Sequence, residues 1–296
     1  MKFLERSFDQ MNQWWKYVIV CACSLLLWPA IGSIPLALTV FLRSYMGGGA
    51  DGMDGLSKNQ ILTLVLFSTV VTLVLTVWIV KVLHRRSFAE VVNGGQKVRI
   101  GRCLTGAGVW LAAMSVVYAA DYVVNTADYV LQFDPSRFIP LVFITLVFIP
   151  FQTTSEEYLF RGYLAQGLAA WTGRRWVALV VPSLIFGLMH AFNPEVSEFG
   201  FWATMPQYIY FGLFFGLVSI LDDGIELSMG LHAANNIFLS LFATSKSSVL
   251  QTDAVLEVVN INPARDTALL IIMSLVVGAF FALRYKWNFS LLLKRL

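Results

Sequence analysis

Charge is what this chain has least of. Of its 296 residues only 13% are Asp, Glu, Lys or Arg, against 57% hydrophobic, which is about half the charged share of an ordinary soluble domain. The mean hydropathy of +0.69 implies more apolar surface than a soluble domain of this size can hide. An ordinary cytosolic enzyme is thereby excluded. The 23 Phe, 9 Trp and 10 Tyr exclude a disordered chain. A net charge of +3 is too small to argue for nucleic acid as a partner. Cysteine is scarce too. Cys21, Cys23 and Cys103 are odd in number, lie in or beside apolar runs, and form neither a disulfide framework nor a zinc pattern. They read as small core residues. No His-Glu-x-x-His helix is present, and no Ser or Cys has a matching base at recognisable spacing, so a covalent acyl-enzyme is not expected. The Gly47–Gly49 run with Asp51 and Asp54 matches neither a phosphate loop nor an EF-hand and reads as an outer loop. There is no internal repeat, low-complexity tract or domain linker.

What is present is a series of long apolar runs. A helix crosses the roughly 30 Å hydrocarbon core with about 20 apolar residues. Tyr17–Leu42, Ile61–Val80 and Cys103–Ala120 meet that length, and Phe138–Gln152 continues into a segment containing charges. Trp176–Phe192, Met205–Leu221, Leu227–Ala243 and Thr267–Leu283 are shorter and punctuated by polar residues, as spans inside a bundle are. The expected fold is an all-α polytopic bundle of eight spans, embedded in the lipid bilayer. The first run is too long for a signal-peptide core and is expected to remain as an anchor. Trp28-Pro29 and Pro35 predict a kink within it. Ahead of it, Leu4, Phe8, Met11 and Trp15 at helical spacing predict an interfacial amphipathic helix over 1–16.

Basic residues orient the bundle. With the N-terminus cytoplasmic, the inner segments hold 15 Lys and Arg, among them Lys16, Arg85, Arg99, Arg174, Arg175 and Arg295. The outer segments hold five: Arg43, Lys58, Arg137, Lys246 and Arg265. The positive-inside rule then puts both termini in the cytoplasm.

Ionisable residues within membrane spans are costly and mark function by default. Here they concentrate at Glu156, Glu157 and Arg161, at His190 ending the fifth run, and at His232 with Asn235 and Asn236 in the seventh. His84 abuts Arg85 and Arg86 and reads as a solvated loop residue. Glu157 and Arg161, four apart, share a face and suit an ion pair. Glu156 lies about 100° away, on a face with Gln152 and Tyr163 and without a cation in its own helix. A carboxylate so placed takes up a proton readily, the property that a general base needs. His190 then positions a water beside Glu156. His232 and Asn236, again four apart, are suited to donate to a developing oxyanion. These side chains describe a hydrolase of carbonyl compounds. The bland alternatives are a structural ion pair, hydrogen-bonded core histidines and asparagines that join helices.

Glu-Glu-x-x-x-Arg (Glu156, Glu157, Arg161), Phe-x-x-x-His (Phe186, His190) and His-x-x-x-Asn (His232, Asn236) follow in that order. Together they resemble the motif set of the CPBP family of CAAX proteases and bacteriocin-processing enzymes, also called Abi, which includes the type II CAAX prenyl endopeptidases. The resemblance implies an eight-helix intramembrane endopeptidase with its cavity open toward the cytoplasm. It gives Glu156 and His190 the water, His232 and Asn236 the oxyanion, and Glu157 with Arg161 the support. The resemblance covers roughly Phe138–Ala243, and the chain is expected to divide into the interfacial helix over 1–16, amino-terminal spans over 17–137, this catalytic core over 138–243, and an outer loop, last span and tail over 244–296. The implied substrate is a peptide or lipidated peptide. No metal is expected, although Glu156, His190 and His232 form a set that suits zinc. The competing functions are a non-catalytic immunity or scaffold protein and a small proton-coupled carrier. For the carrier, no inverted repeat is visible.

Overall fold

The computed structural model describes residues 3–8, 12–47 and 52–296, and among these the chain is a helix bundle. Each apolar run becomes a helix. They are α1 (Trp14–Tyr45), α2 (Lys58–His84), α3 (Ile100–Val124), α4 (Pro135–Thr172), α5 (Arg175–Met189), α6 (Phe201–Leu221), α7 (Glu226–Phe242) and α8 (Pro263–Tyr285). Six of them, all but α5 and α7, are long and apolar enough to cross a membrane. Their outward faces carry Leu104, Val116, Val123, Val124, Ile272 and Leu283, each more than half exposed. Water would not tolerate so continuous an apolar surface; lipid does.

The helix boundaries follow local chemistry. Ser57 and Gln60 form a reciprocal capping box at the start of α2, and Asp134 caps α4, whose first residue is Pro135. In α1 the prolines act as expected. A π-helical turn at Cys23–Leu27 precedes Trp28-Pro29, and the regular helix breaks again at Ser33 before Pro35. A second π-helical stretch, Tyr158–Leu164, interrupts α4 directly after Glu156 and Glu157. π turns of this kind concentrate at functional sites.

At about 1.5 Å per residue, α5 with 15 residues and α7 with 17 span only about 22 and 26 Å. Both depend on their neighbours. α7 is buried along much of its length, from Glu226 through Leu241. It lies against α3 at two glycines: a Cβ on Gly106 would strike the Leu227 carbonyl, and one on Gly230 the Cys103 carbonyl. Small residues let membrane helices approach this closely. Behind that contact Trp110, Phe215, Leu227, Leu231 and Phe281 make a buried cluster. A small sheet follows α7. Its strands β1 (Tyr129–Leu131), β2 (Ala243–Thr244) and β3 (Leu256–Val258) run in the order β1-β3-β2, with β3 antiparallel to β1 and parallel to β2.

Both termini lie at one end of the bundle. Arg174 pairs with Arg295 in an isolated bridge, Arg175 donates to the Lys294 and Arg295 carbonyls, and its guanidinium lies 3.4 Å from Glu5. An even number of crossings requires this. The amino-terminal segment departs from expectation. Of residues 1–16, positions 1, 2 and 9–11 lie outside the described residues. The remainder holds a single 3₁₀ turn, Glu5–Ser7, with α1 starting at Trp14. Phe3 and Leu4 are buried against the protein, and Ser7 donates to the Gln166 carbonyl at 2.8 Å. Of the four spaced residues, Leu4 is buried in the protein, Phe8 and Trp15 stay exposed, and Met11 lies outside the described residues. Of the glycine run and its aspartates, only Gly47 and Asp54 fall within the described residues.

Candidate active site

A cavity of about 570 Å³ opens at the end of the bundle away from the termini. Helix direction makes this unambiguous. The lining comes from the last residues of α5, the first halves of α2 and α6, α7 from His232 onward, and the first turn of α8. The loops that follow α5 and α7 complete the mouth. The expectation of a cavity open toward the cytoplasm therefore conflicts with the basic-residue count, which puts the cytoplasm at the opposite end.

The polar residues singled out in the sequence meet in this cavity, with one separation. Glu157 is wholly buried, and its Oε1 is bound from two sides, by Arg161 Nη1 at 3.0 Å and by His232 Nδ1 at 2.8 Å. The Arg161 guanidinium lies 4.0 Å above the Phe186 ring, so its apolar face is covered as well. His232 thus has its Nδ1 committed to a carboxylate. Its Nε2 faces the cavity, 3.8 Å from Glu156 Oε2. An imidazole whose Nδ1–H is given to a carboxylate exposes a lone pair at Nε2 when neutral and a donor only when protonated.

Glu156 sits at the end of a chain of hydrogen bonds. Trp110 Nε1 donates to Asn235 Oδ1 at 3.3 Å, Asn235 Nδ2 to Asn236 Oδ1 at 3.1 Å, and Asn236 Nδ2 to Gln152 Oε1 at 3.0 Å. Gln152 Nε2 then donates to Glu156 Oε1. An indole N–H can only donate, so Trp110 sets the orientation of every amide after it. The other oxygen, Glu156 Oε2, is buried and accepts no hydrogen bond among the described residues. It is the oxygen with lone pairs free for a further donor.

His190 follows directly on α5, lines the same cavity and is held separately. Its Nδ1 is 2.8 Å from the Phe186 carbonyl, the geometry of an N–H donated to the oxygen four residues back. Its ring stacks on Tyr208 at 4.4 Å, and Phe186 lies between it and His232, with ring centroids 4.7 and 6.2 Å away. Tyr208 is held in turn by Asn193 and Glu195. Among the described residues no three His, Cys, Asp or Glu side chains gather in a way that could hold a metal ion. The zinc set of Glu156, His190 and His232 is not assembled in this geometry.

Two readings of the sequence need correction. Tyr163 does not share the cavity with Glu156. Its hydroxyl is 2.7 Å from His84 Nε2 and its ring stacks on Tyr17, in a buried cluster toward the termini. The π-helical turns between 158 and 164 widen the helix, so a residue seven positions on no longer falls on the same face. His84, expected to be solvated, is 2% exposed, because Tyr17 and Tyr163 close over its ring. Tyr208, Asn193 and Glu195 carry no signal in the sequence; nothing in the spacing of one run shows what stacks on it from another. Gln152 is visible there only as a face-mate of Glu156, and that spacing is the signal for its role.

The fold and cavity define a polytopic membrane bundle with a polar chamber between its helices. Within it, residues 135–238 match the family described as Type II CAAX prenyl endopeptidase Rce1-like. The matched stretch runs from the start of α4 into α7 and holds all seven motif residues. The chain is also 34% identical over 175 residues to the uncharacterized protein YyaK of Bacillus subtilis (strain 168). The aligned part is 58% of this chain and spans 58% of that protein's length. No solved structure matches.

Proposed function

We propose that the protein is an intramembrane endopeptidase that hydrolyses a peptide bond with a water activated by Glu156. The observation that carries this reading is His232, held by Glu157 at 2.8 Å on one side and facing Glu156 at 3.8 Å across the cavity edge on the other. A water between Glu156 Oε2 and His190 gives its proton to the carboxylate while its oxygen attacks the substrate carbonyl carbon. His190, with Nδ1–H given to a backbone carbonyl, offers its Nε2 lone pair to the second hydrogen of that water. The carbonyl π electrons move to oxygen, and the oxyanion is met by Asn236 and by protonated His232. Glu157 stabilises that imidazolium as a buried carboxylate does in a catalytic triad. As the tetrahedral intermediate collapses, Glu156 returns the proton to the leaving amine, and the carbon–nitrogen bond breaks. Arg161 neutralises Glu157 and fixes its position.

The test is cleavage of a peptide library by purified, detergent-solubilised protein, with wild type, Glu156→Gln and His190→Ala compared with and without chelator. Glu156→Gln should cost about 10²–10⁴ in rate, the usual value of a positioned base. Activity unaffected by chelator fits this mechanism. Activity lost to chelator and restored by zinc would recast Glu156, His190 and His232 as ligands. Wild type and variants that behave alike would leave the scaffold or immunity reading in place of the protease.

A further inference from the structure

The cavity and the basic residues lie at opposite ends of the molecule. Arg6, Arg86, Lys97, Arg99, Arg174, Arg175 and the tail crowd the end that holds both termini. The positive-inside rule assigns that end to the cytoplasm, by 15 basic residues to five. The acidic residues divide the other way. Ten of the 18 Asp and Glu, among them Asp128, Asp134, Glu195, Asp253, Glu257 and Asp266, fall in the segments at the cavity end. The chamber itself is lined by three carboxylates, Glu156, Glu195 and Asp266, and by no Lys or Arg among the described residues. A low-dielectric chamber lined by carboxylates without Lys or Arg disfavours an anionic chain and draws in a cationic one. One side wall, from Leu25, Val65 and Leu66, is apolar.

From these observations we infer that the cavity is entered from the extracytoplasmic face and takes a peptide segment that pairs apolar residues with basic ones, not an acidic segment. The inference rests on the protease reading for what is done to the peptide, but the side of entry does not depend on it. A CAAX-type site of this orientation acts on chains already carried across the membrane. The reaction class that must precede it is translocation of the substrate, and the product is released outside the cytoplasm.

Cysteine accessibility tests this in whole cells. In a chain with Cys21, Cys23 and Cys103 replaced by alanine, single cysteines are placed by Lys246→Cys on the outer loop, Ser248→Cys at the cavity lip and Gln96→Cys in the basic loop. A membrane-impermeant maleimide applied to intact cells should label the first two, and Gln96→Cys only after the membrane is opened. The reverse pattern overturns the proposal. In isolated membranes, a leucine-rich peptide flanked by lysines should slow labelling of Ser248→Cys several-fold more than the same peptide flanked by glutamates, with the difference shrinking in high salt. Equal protection by the two, or none by either, overturns the substrate class while the side of entry stands. Labelling reads accessibility alone, so a protein that cleaves nothing yet labels from outside would sink the protease reading and leave this one intact.

Discussion

Two clusters of buried charge in this molecule use the same residue types to opposite ends. At the terminal end Arg99, Arg102, Asp222 and Glu226 join the start of α3 to the α6–α7 turn. Arg99 Nη2 lies 2.6 Å from Glu226 and 3.3 Å from Asp222, while Arg102 lies 3.6 Å from Asp222 and 3.2 Å above the Tyr285 ring. Asn93 and the Arg99 backbone also donate to Glu226. Two cations meet two carboxylates, and none of the four lines the cavity. At the cavity, Glu156 and Glu157 share one arginine and a histidine whose charge depends on its proton. One carboxylate is thus in excess, and it is the one that faces open space. Pairing closes the first cluster, whereas in the second Glu156 keeps one oxygen, Oε2, without a hydrogen bond among the described residues. Buried charge alone does not mark a site; buried charge left unbalanced beside a cavity does.

The largest effect on stability is expected where that asymmetry is deepened. Glu157→Ala strands Arg161 in the bundle, at a cost of about 3–5 kcal/mol for a broken buried pair. Removing both charges, with Glu157→Leu and Arg161→Met, should recover most of this loss but not cleavage. Melting in detergent alongside peptide turnover measures both; a double variant that still cleaves would return the pair to a purely structural role. Arg99→Ala comes next. It removes one cation while Arg102 stays beside Asp222 and Asn93 stays on Glu226, so the loss should be near 2 kcal/mol, roughly that of a charged hydrogen-bonded contact. Folded protein should cleave at the wild-type rate. A fall in turnover as deep as that of Glu156→Gln would break the contrast between the two clusters.

Much of this arrangement is legible in the residues themselves, for physical reasons that also set the limit. Eight apolar runs predict eight helices because length and hydropathy are local properties, and all eight form. The pairing of Glu157 with Arg161 is legible because a four-residue spacing survives even where the helix turns to π. His232 and Asn236 both line the cavity because α7 is regular between them. The seven-residue spacing from Glu156 to Tyr163 fails because the π turns in α4 change the phase, and no residue type announces them. The stacking of His190 on Tyr208 and the relay from Trp110 to Glu156 join helices distant in sequence, so neither follows from the period of one run. At the amino terminus, an amphipathic pattern predicts an apolar face without saying what covers it; Leu4 finds protein, while Phe8 and Trp15 stay exposed.

A pH-dependent effect of opposite sign sharpens the comparison most finely, because it shows that a closed cluster still strains. Burial pushes the Asp222 carboxyl up to about 6, despite the opposing pull of Arg99 and Arg102. A carboxyl that holds its proton more tightly folded than unfolded costs stability when ionised. Its contribution therefore improves as pH falls from above 6 toward the ordinary carboxylate range and worsens as pH rises through 6. Asparagine mimics the protonated form at nearly constant shape. Asp222→Asn should thus be more stable than wild type at pH 8, by on the order of 2 kcal/mol, since each tenfold tightening of the proton's hold corresponds to about 1.4 kcal/mol. The advantage should fade toward pH 4–5, where wild-type Asp222 carries its own proton. Melting temperatures of the two proteins in the same detergent from pH 4 to 8 measure the difference directly and cancel the titration of every other group. An Asn variant that is less stable at pH 8 would mean that Arg99 and Arg102 outweigh burial, and the terminal cluster would then be held by its charges and not merely balanced by them.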